Sequence, residues 1–149
     1  MSYDGPIEDR LAIRELIESY ADAVTQRDAT GWASLWAEQS RWLMPDLSTR
    51  LEGKQTIVST WIRLMAEYHG PVEEPWAFSF VSVLGAMNVI GGRATVRSYS
   101  LETFADGAGK STHLKGQYDD VVVRQDGRWL FAERVWRLMP LDDHAVFLA

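Results

Sequence analysis

Apolar residues recur at helical spacing in the first half of the chain and at strand spacing in the second. Ile7, Leu11, Leu16, Tyr20 and Val24, with Ile13 and Ile17 beside them, form one stripe that predicts an amphipathic helix over 7–26. Residues 30–38, opened by Thr30 and carrying Trp32, Leu35 and Trp36, predict a second, shorter helix. Ser40 to Met44 alternate as a strand and stop at Pro45-Asp46, and 46–53 reads as a loop ending in Gly53. A third helix is expected over 54–68 on Ile57, Trp61, Leu64, Met65 and Tyr68, ended by His69-Gly70-Pro71.

From there the period becomes two. Strands are expected over 76–90, with a break near Gly85, and over 93–104, 111–124 and 129–138. Gly91-Gly92, the tip 105–110 and Asp126-Gly127 supply the turns. Helices come first and an antiparallel meander later, which signals an α+β fold rather than parallel βαβ units. The 149 residues fit one domain, 1–149. Val146, Phe147 and Leu148 in the tail are expected to dock on a neighbouring surface.

Composition narrows the function classes. The net charge of −6 repels phosphates and anionic lipid, so neither nucleic acid nor a membrane is an expected partner. There is no cysteine for a disulfide, a thiolate metal site or a thiol nucleophile. The opening residues, MSYDGPIEDR, are acidic and polar, unlike a signal peptide, so a cytoplasmic protein is expected. The three histidines lack metal-ligand spacing, and no glycine-rich phosphate loop occurs, so neither a metal nor a cofactor is expected. Seven tryptophans are many for this length; they suit a core, or an aromatic pocket for a flat apolar ligand.

Chemistry must then come from ordinary side chains. One face of strand 93–104 carries Ala94, Val96, Ser98, Ser100, Glu102 and Phe104: apolar, then small, then a carboxylate beside an aromatic ring. A pocket wall with one polar group reads this way, and desolvation there would let Glu102 work as an acid or base near neutrality. The plainer alternative is a solvated glutamate near a strand end. Tyr20 lies on the first helix's apolar stripe, as a core aromatic or a donor to a substrate oxygen. Tyr118 shares a face with Asp120 and is the second phenol expected near the pocket. Arg134, among apolar alternates, needs a carboxylate, with Asp119 and Asp120 both in reach; the alternative role is to orient a substrate anion. His113 begins a strand and is a candidate base at a pocket mouth, whereas His69 and His144 read as surface residues.

Two motifs resemble the SnoaL-like (nuclear transport factor 2-like) superfamily. The first helix reads Ile13-x-x-Leu16-x-x-x-Tyr20-Ala21-x-Ala23-x-x-x-x-Asp28, followed by Trp32 and Trp42. The last hairpin reads Gly116-x-Tyr118-x-Asp120-x-x-Val123-Arg124-x-Asp126-Gly127-x-Trp129-x-Phe131-x-x-Arg134. The superfamily includes scytalone dehydratase, hexachlorocyclohexane dehydrochlorinase, bile acid 7α-dehydratase and the small subunits of ring-hydroxylating dioxygenases. The resemblance implies three N-terminal helices on a curved antiparallel sheet, a cone-shaped pocket, often a cofactor-free lyase, and often a trimer. It also favours Asp120 as the partner of Arg134. The dehydratases and the dehydrochlorinase share an Asp on the first helix and a His on the strand after the third. Those positions fall on Thr25 and Ser79 here, so that pair is missing, and the two residues are left to hold a water or a substrate hydroxyl. Tyr20 and Glu102 match the tyrosine and strand carboxylate of the bile acid enzyme.

The resulting expectation is a cofactor-independent lyase or isomerase acting on a small apolar, aromatic or polycyclic molecule. Glu102 would be the acid or base, and Tyr20 and Tyr118 the hydrogen-bond donors. Val24, Trp42, Met44, Trp61, Met65, Phe104 and Trp136 would be the walls. The alternative is a non-catalytic ligand-binding or assembly subunit.

Overall fold

A computed structural model describes residues 2–71, 73, 78–105 and 108–139. Trp76, part of the tip at 105–110, and the tail with His144 and Val146 to Leu148 lie outside them. In chain order the elements are β1 (Tyr3–Asp4), α1 (Ile7–Gln26), α2 (Ala29–Ser34), β2 (Trp36–Met44), a 3-10 turn (Pro45–Leu47) and β3 (Thr49–Glu52). Then come α3 (Lys54–His69), β4 (Phe78–Ile90), β5 (Arg93–Ala105), β6 (Ser111–Gln125) and β7 (Arg128–Leu138). No helix of the described residues is long and apolar enough to cross a membrane.

The helices start and stop for local reasons. Glu8 and Asp9 place negative charge in the first turn of α1, where the helix dipole favours it. The helix ends at Arg27 in the left-handed region (φ 55°). The next helix starts one residue on, where the Asp28 carboxylate accepts the Gly31 N–H. The stripe of α1 is buried from Ile13 to Val24, but its first two members, Ile7 and Leu11, are exposed. The second helix stops at Ser34, not at 38. Trp36 and Ala37 go into a strand because β7 offers a partner, and the Phe131 N–H donates to the Leu35 carbonyl at 2.8 Å. The expected loop 46–53 is similarly divided, with Thr49–Glu52 pairing antiparallel to β2.

The seven strands form one unclosed sheet in the order β1-β4-β5-β6-β7-β2-β3. The four long strands make the antiparallel meander, while β1 on β4 and β2 on β7 are parallel pairs. Register shifts at Leu84/Ala86, Val121/Val122 and Trp36/Arg41 bend the sheet. The first of these contains Gly85, where a Cβ would stand 2.9 Å from the Tyr99 ring. Helices α1 and α3 pack into the hollow, α1 against β4 and β7 and α3 against β2. Between them lies an aromatic core in which Trp32 stacks on Trp61 at 4.6 Å and contacts Trp36 at 5.2 Å. One end of the hollow is filled by this core. The other end is open.

Candidate functional site

The open end is a cavity of about 500 Å³, the size of a small-molecule site. Its position follows from the alternation of β5. Ala94, Val96, Ser98 and Ser100 are buried in turn on the inward face, and Glu102 and Phe104 continue that face into the cavity. The expected wall residues Val24, Trp42, Met44, Trp61, Met65 and Trp136 all line it, as do Tyr20 and Tyr118.

Glu102 is half-buried among apolar neighbours and makes no hydrogen bond or ion pair among the described residues. Loss of water with no compensating cation raises its carboxyl to about 7. Tyr118, opposite Ser98 in the sheet, and Tyr20, from α1, stand with ring centroids 6.2 Å apart. Burial raises both phenols above their ordinary value, so both are neutral donors at physiological pH.

Behind the phenols sits Arg134. Its guanidinium lies 4.0 Å from the Tyr20 ring centre, 3.9 Å from that of Tyr118 and 4.2 Å from that of Phe131. It donates from Nε and Nη2 to the two Asp120 carboxylate oxygens at 3.0 Å each, and both residues are buried. Burial raises Asp120 to about 6 against the opposing pull of Arg134. The carboxylate is ionised at neutral pH and tied up in the fork.

A third polar feature depends on Gly116. A Cβ there would fall on the Trp136 indole nitrogen and within 2.8 Å of Ser100 Oγ. Its absence lets the indole lie across β6 as cavity wall. Trp136 Nε1 and Ser100 Oγ are buried, and neither has a hydrogen-bond partner among the described residues.

Five expected site residues stand outside the cavity, and several residues not expected there line it, among them Leu47, Arg63, Tyr68, Phe80, Leu114 and His69. Asp120 and Arg134 lie beneath the phenols, paired with each other through Nε and Nη2, and Arg134 is not part of the cavity lining, where a substrate anion would sit. Thr25 is engaged with the backbone, its hydroxyl donating to the Phe80 carbonyl and accepting the Phe80 N–H at 3.1 Å each. Ser79 is exposed on the outer face, because the pleat sends its neighbour Phe80 inward. His113 is also exposed on the outer face, beside Thr103 with its Nδ1 3.1 Å from the hydroxyl, because Thr112 and Leu114 take the inward positions. Conversely, His69 is no surface residue. It is 4% exposed, lines the cavity, and packs at a tilt against Phe78 with ring centroids 3.9 Å apart. A sequence signal for it exists: His69 continues the four-residue row Ile57, Trp61, Met65 along α3.

Comparison with known proteins places this geometry. A protein of unknown function from Mycobacterium tuberculosis superposes with a TM-score of 0.74 at 25% identity, over 93% of this chain and 78% of the other. A scytalone dehydratase candidate from Novosphingobium aromaticivorans gives 0.77 at 20% identity, over 90% and 86% of the two chains. A type 2 hexachlorocyclohexane dehydrochlorinase gives 0.76 at 15% identity, over 92% and 91%. The last two bear on the fold alone. No curated protein matches the sequence. The SnoaL-like domain profile matches residues 6–135, most of the chain, and the protein therefore belongs to the SnoaL-like domain family.

Proposed function

We propose that this protein is a cofactor-independent lyase or isomerase. Its substrate is a small, largely apolar aromatic or polycyclic molecule bearing an oxygen. The observation that carries this reading is Glu102, an unpartnered carboxyl in an apolar cavity, raised to about 7 and so able to take or give a proton at neutral pH. Tyr118 and Tyr20 supply neutral hydrogen bonds to oxygen charge that develops as the proton moves. Asp120 and Arg134 hold both rings from behind and are positioning residues.

Elimination of a nitrobenzisoxazole tests this reading without the natural substrate. A base removes the carbon-bound proton, the C–H electron pair completes the nitrile, the N–O bond breaks and a phenolate leaves. The wild type should catalyse the ring opening with a rate rising to a plateau above about pH 7, the titration of Glu102. Glu102→Gln should lose on the order of 10²–10⁴-fold in rate, as for removal of a general base. A wild type no faster than Glu102→Gln would leave the cavity as a binding site only. That outcome would fit the second reading, a ligand-binding or assembly subunit, which the outward Ser79 and the backbone-bound Thr25 favour.

The assembly we propose is a homotrimer, as the family resemblance implies. It would join through the outer face of β4 and β5, where the cross-strand pairs Val81–Leu101 and Val83–Tyr99 form an apolar strip.

A further inference from the structure

His69 enters the cavity from the last turn of α3, in the angle between Phe78 and Phe104. These two phenylalanines are directly paired across β4 and β5. The imidazole lies tilted by 33° against the first with ring centroids 3.9 Å apart and meets the second edge-on at 5.0 Å. Phe104 is two residues from Glu102 on the same face of β5, about 7 Å along the strand. The ring and the carboxyl therefore face the same small volume from different elements.

The backbone around His69 is clamped. Arg27, at the end of α1, donates from Nη1 to the carbonyls of His69, Gly70 and Pro71 at 3.3, 2.7 and 3.2 Å. The imidazole itself has no such restraint. Among the described residues the buried Nδ1 has no hydrogen-bond partner, and no hydrogen bond from Nε2 is found. An N–H at the buried Nδ1 would be left unmet at a desolvation cost, so the uncharged ring is assigned its proton on Nε2, with Nδ1 the bare acceptor. Arg27 lies beside the ring's backbone, and the other titratable or charged groups lining the cavity with it are Glu102, Tyr20, Tyr118 and, on its own helix, Arg63 and Tyr68. Burial first, and then the Arg27 charge, lower the imidazole to about 4. It is uncharged over the whole range in which Glu102 titrates.

Resting on the lyase or isomerase reading, we propose that His69 is the substrate-oxygen anchor of this cavity. Its Nε2–H holds an uncharged carbonyl or hydroxyl oxygen on an aromatic ligand while Glu102 exchanges the proton. A neutral donor between two phenylalanines selects flat molecules bearing an uncharged oxygen over bare hydrocarbons, and the facing carboxyl disfavours anionic ligands. The two phenols and the Trp136 N–H are further from the α3 end of the site and remain available to a second oxygen.

The probes are naphthol, naphthalene and naphthoate, their binding read by fluorescence above about pH 7. Wild type should prefer naphthol to naphthalene, and naphthoate should bind most weakly. His69→Phe keeps a ring against Phe78 but removes the donor, so the preference for naphthol should fall roughly three- to tenfold. His69→Gln, which restores an N–H, should recover part of it. Naphthol should also shift the His69 ring nitrogen resonances in NMR of the wild type, a response that a merely packed ring would not give. An unchanged preference in His69→Phe, or unmoved resonances, overturns the proposal while leaving the Glu102 elimination assay intact. Loss of elimination in Glu102→Gln with the naphthol preference retained supports both, since the base and the anchor are then separate groups. Failure of the wild type to bind either naphthol or naphthalene removes the aromatic cavity and overturns both.

Discussion

Glu102 shows how much of a residue's chemistry comes from its surroundings. The same side chain on the outer face of β5 would titrate near 4.5; here it titrates near 7, because water has been removed and no cation replaces it. A carboxyl raised in the folded state holds its proton more tightly there than in the unfolded chain, so this group costs stability as pH rises from 4.5 to 7. The cost is complete above that range and absent below it. Glu102→Gln should accordingly match the wild type near about pH 4 and be more stable at about pH 8, by roughly 3 kcal/mol as an upper bound. Urea unfolding of both proteins across that range measures it, and taking the difference cancels the contributions of Asp120 and His69. Equal stabilities at every pH would mean that Glu102 is solvated. Tyr20→Phe deletes one hydroxyl and keeps the ring over Arg134. It should slow the benzisoxazole reaction by about tenfold, well short of the Glu102→Gln effect.

At the scale of elements, the hairpin of β6 and β7 determines whether the phenols are in place. Its register sets Asp120 opposite Arg134 and Tyr118 opposite Trp136. Asp120→Asn leaves a buried guanidinium without its counter-charge, and by circular dichroism melts with denaturant should cost about 3–5 kcal/mol. A loss below about 1 kcal/mol would mean that water reaches Arg134. Gly116 acts through the same hairpin. Gly116→Ala must push the Trp136 indole off β6, since the new methyl would occupy the indole nitrogen's place. About 1–3 kcal/mol of stability should go, and naphthol binding should weaken with it, because the indole is cavity wall. The pairing of β2 with β7 acts in the same way at longer range. It takes Trp36 and Ala37 out of the helix that their spacing suggests, because the hydrogen bonds of a waiting sheet edge outweigh a weak helical preference.

For the whole molecule, curvature is the property from which the rest follows. A flat sheet would press the three helices against one plane and leave no hollow, whereas the three register shifts turn one end into a packed aromatic core and the other into a cavity. The convex side then carries the apolar strip of Val81, Val83 and Leu101. Light scattering at micromolar concentration should give three times the chain mass. Val83→Arg, in the middle of the strip, should give the single-chain mass with the far-ultraviolet spectrum unchanged. A wild-type monomer would show that the strip is simply tolerated exposure.

Periodicity was enough to place the long elements, since each buries one face and the face repeats at the spacing of its own geometry. The inward row of β5, ending in Glu102 and Phe104, was readable for this reason, and so were the wall residues of α1 and α3. Spacing says nothing about which edge a strand will find or which hydroxyl a neighbour will occupy. The parallel partners of β1 and β2, the Phe80 backbone that takes the Thr25 hydroxyl, and the outward turn of Ser79 and His113 are all long-range facts. His69 is the clearest case. Next to Gly-Pro at a helix end it looks solvated, and it is the phenylalanines of the paired strands β4 and β5, together with the clamp of Arg27, that bury it in the cavity. Local pattern determines which way a side chain faces along its own element; the tertiary structure decides what it faces, because burial and partners come from other elements.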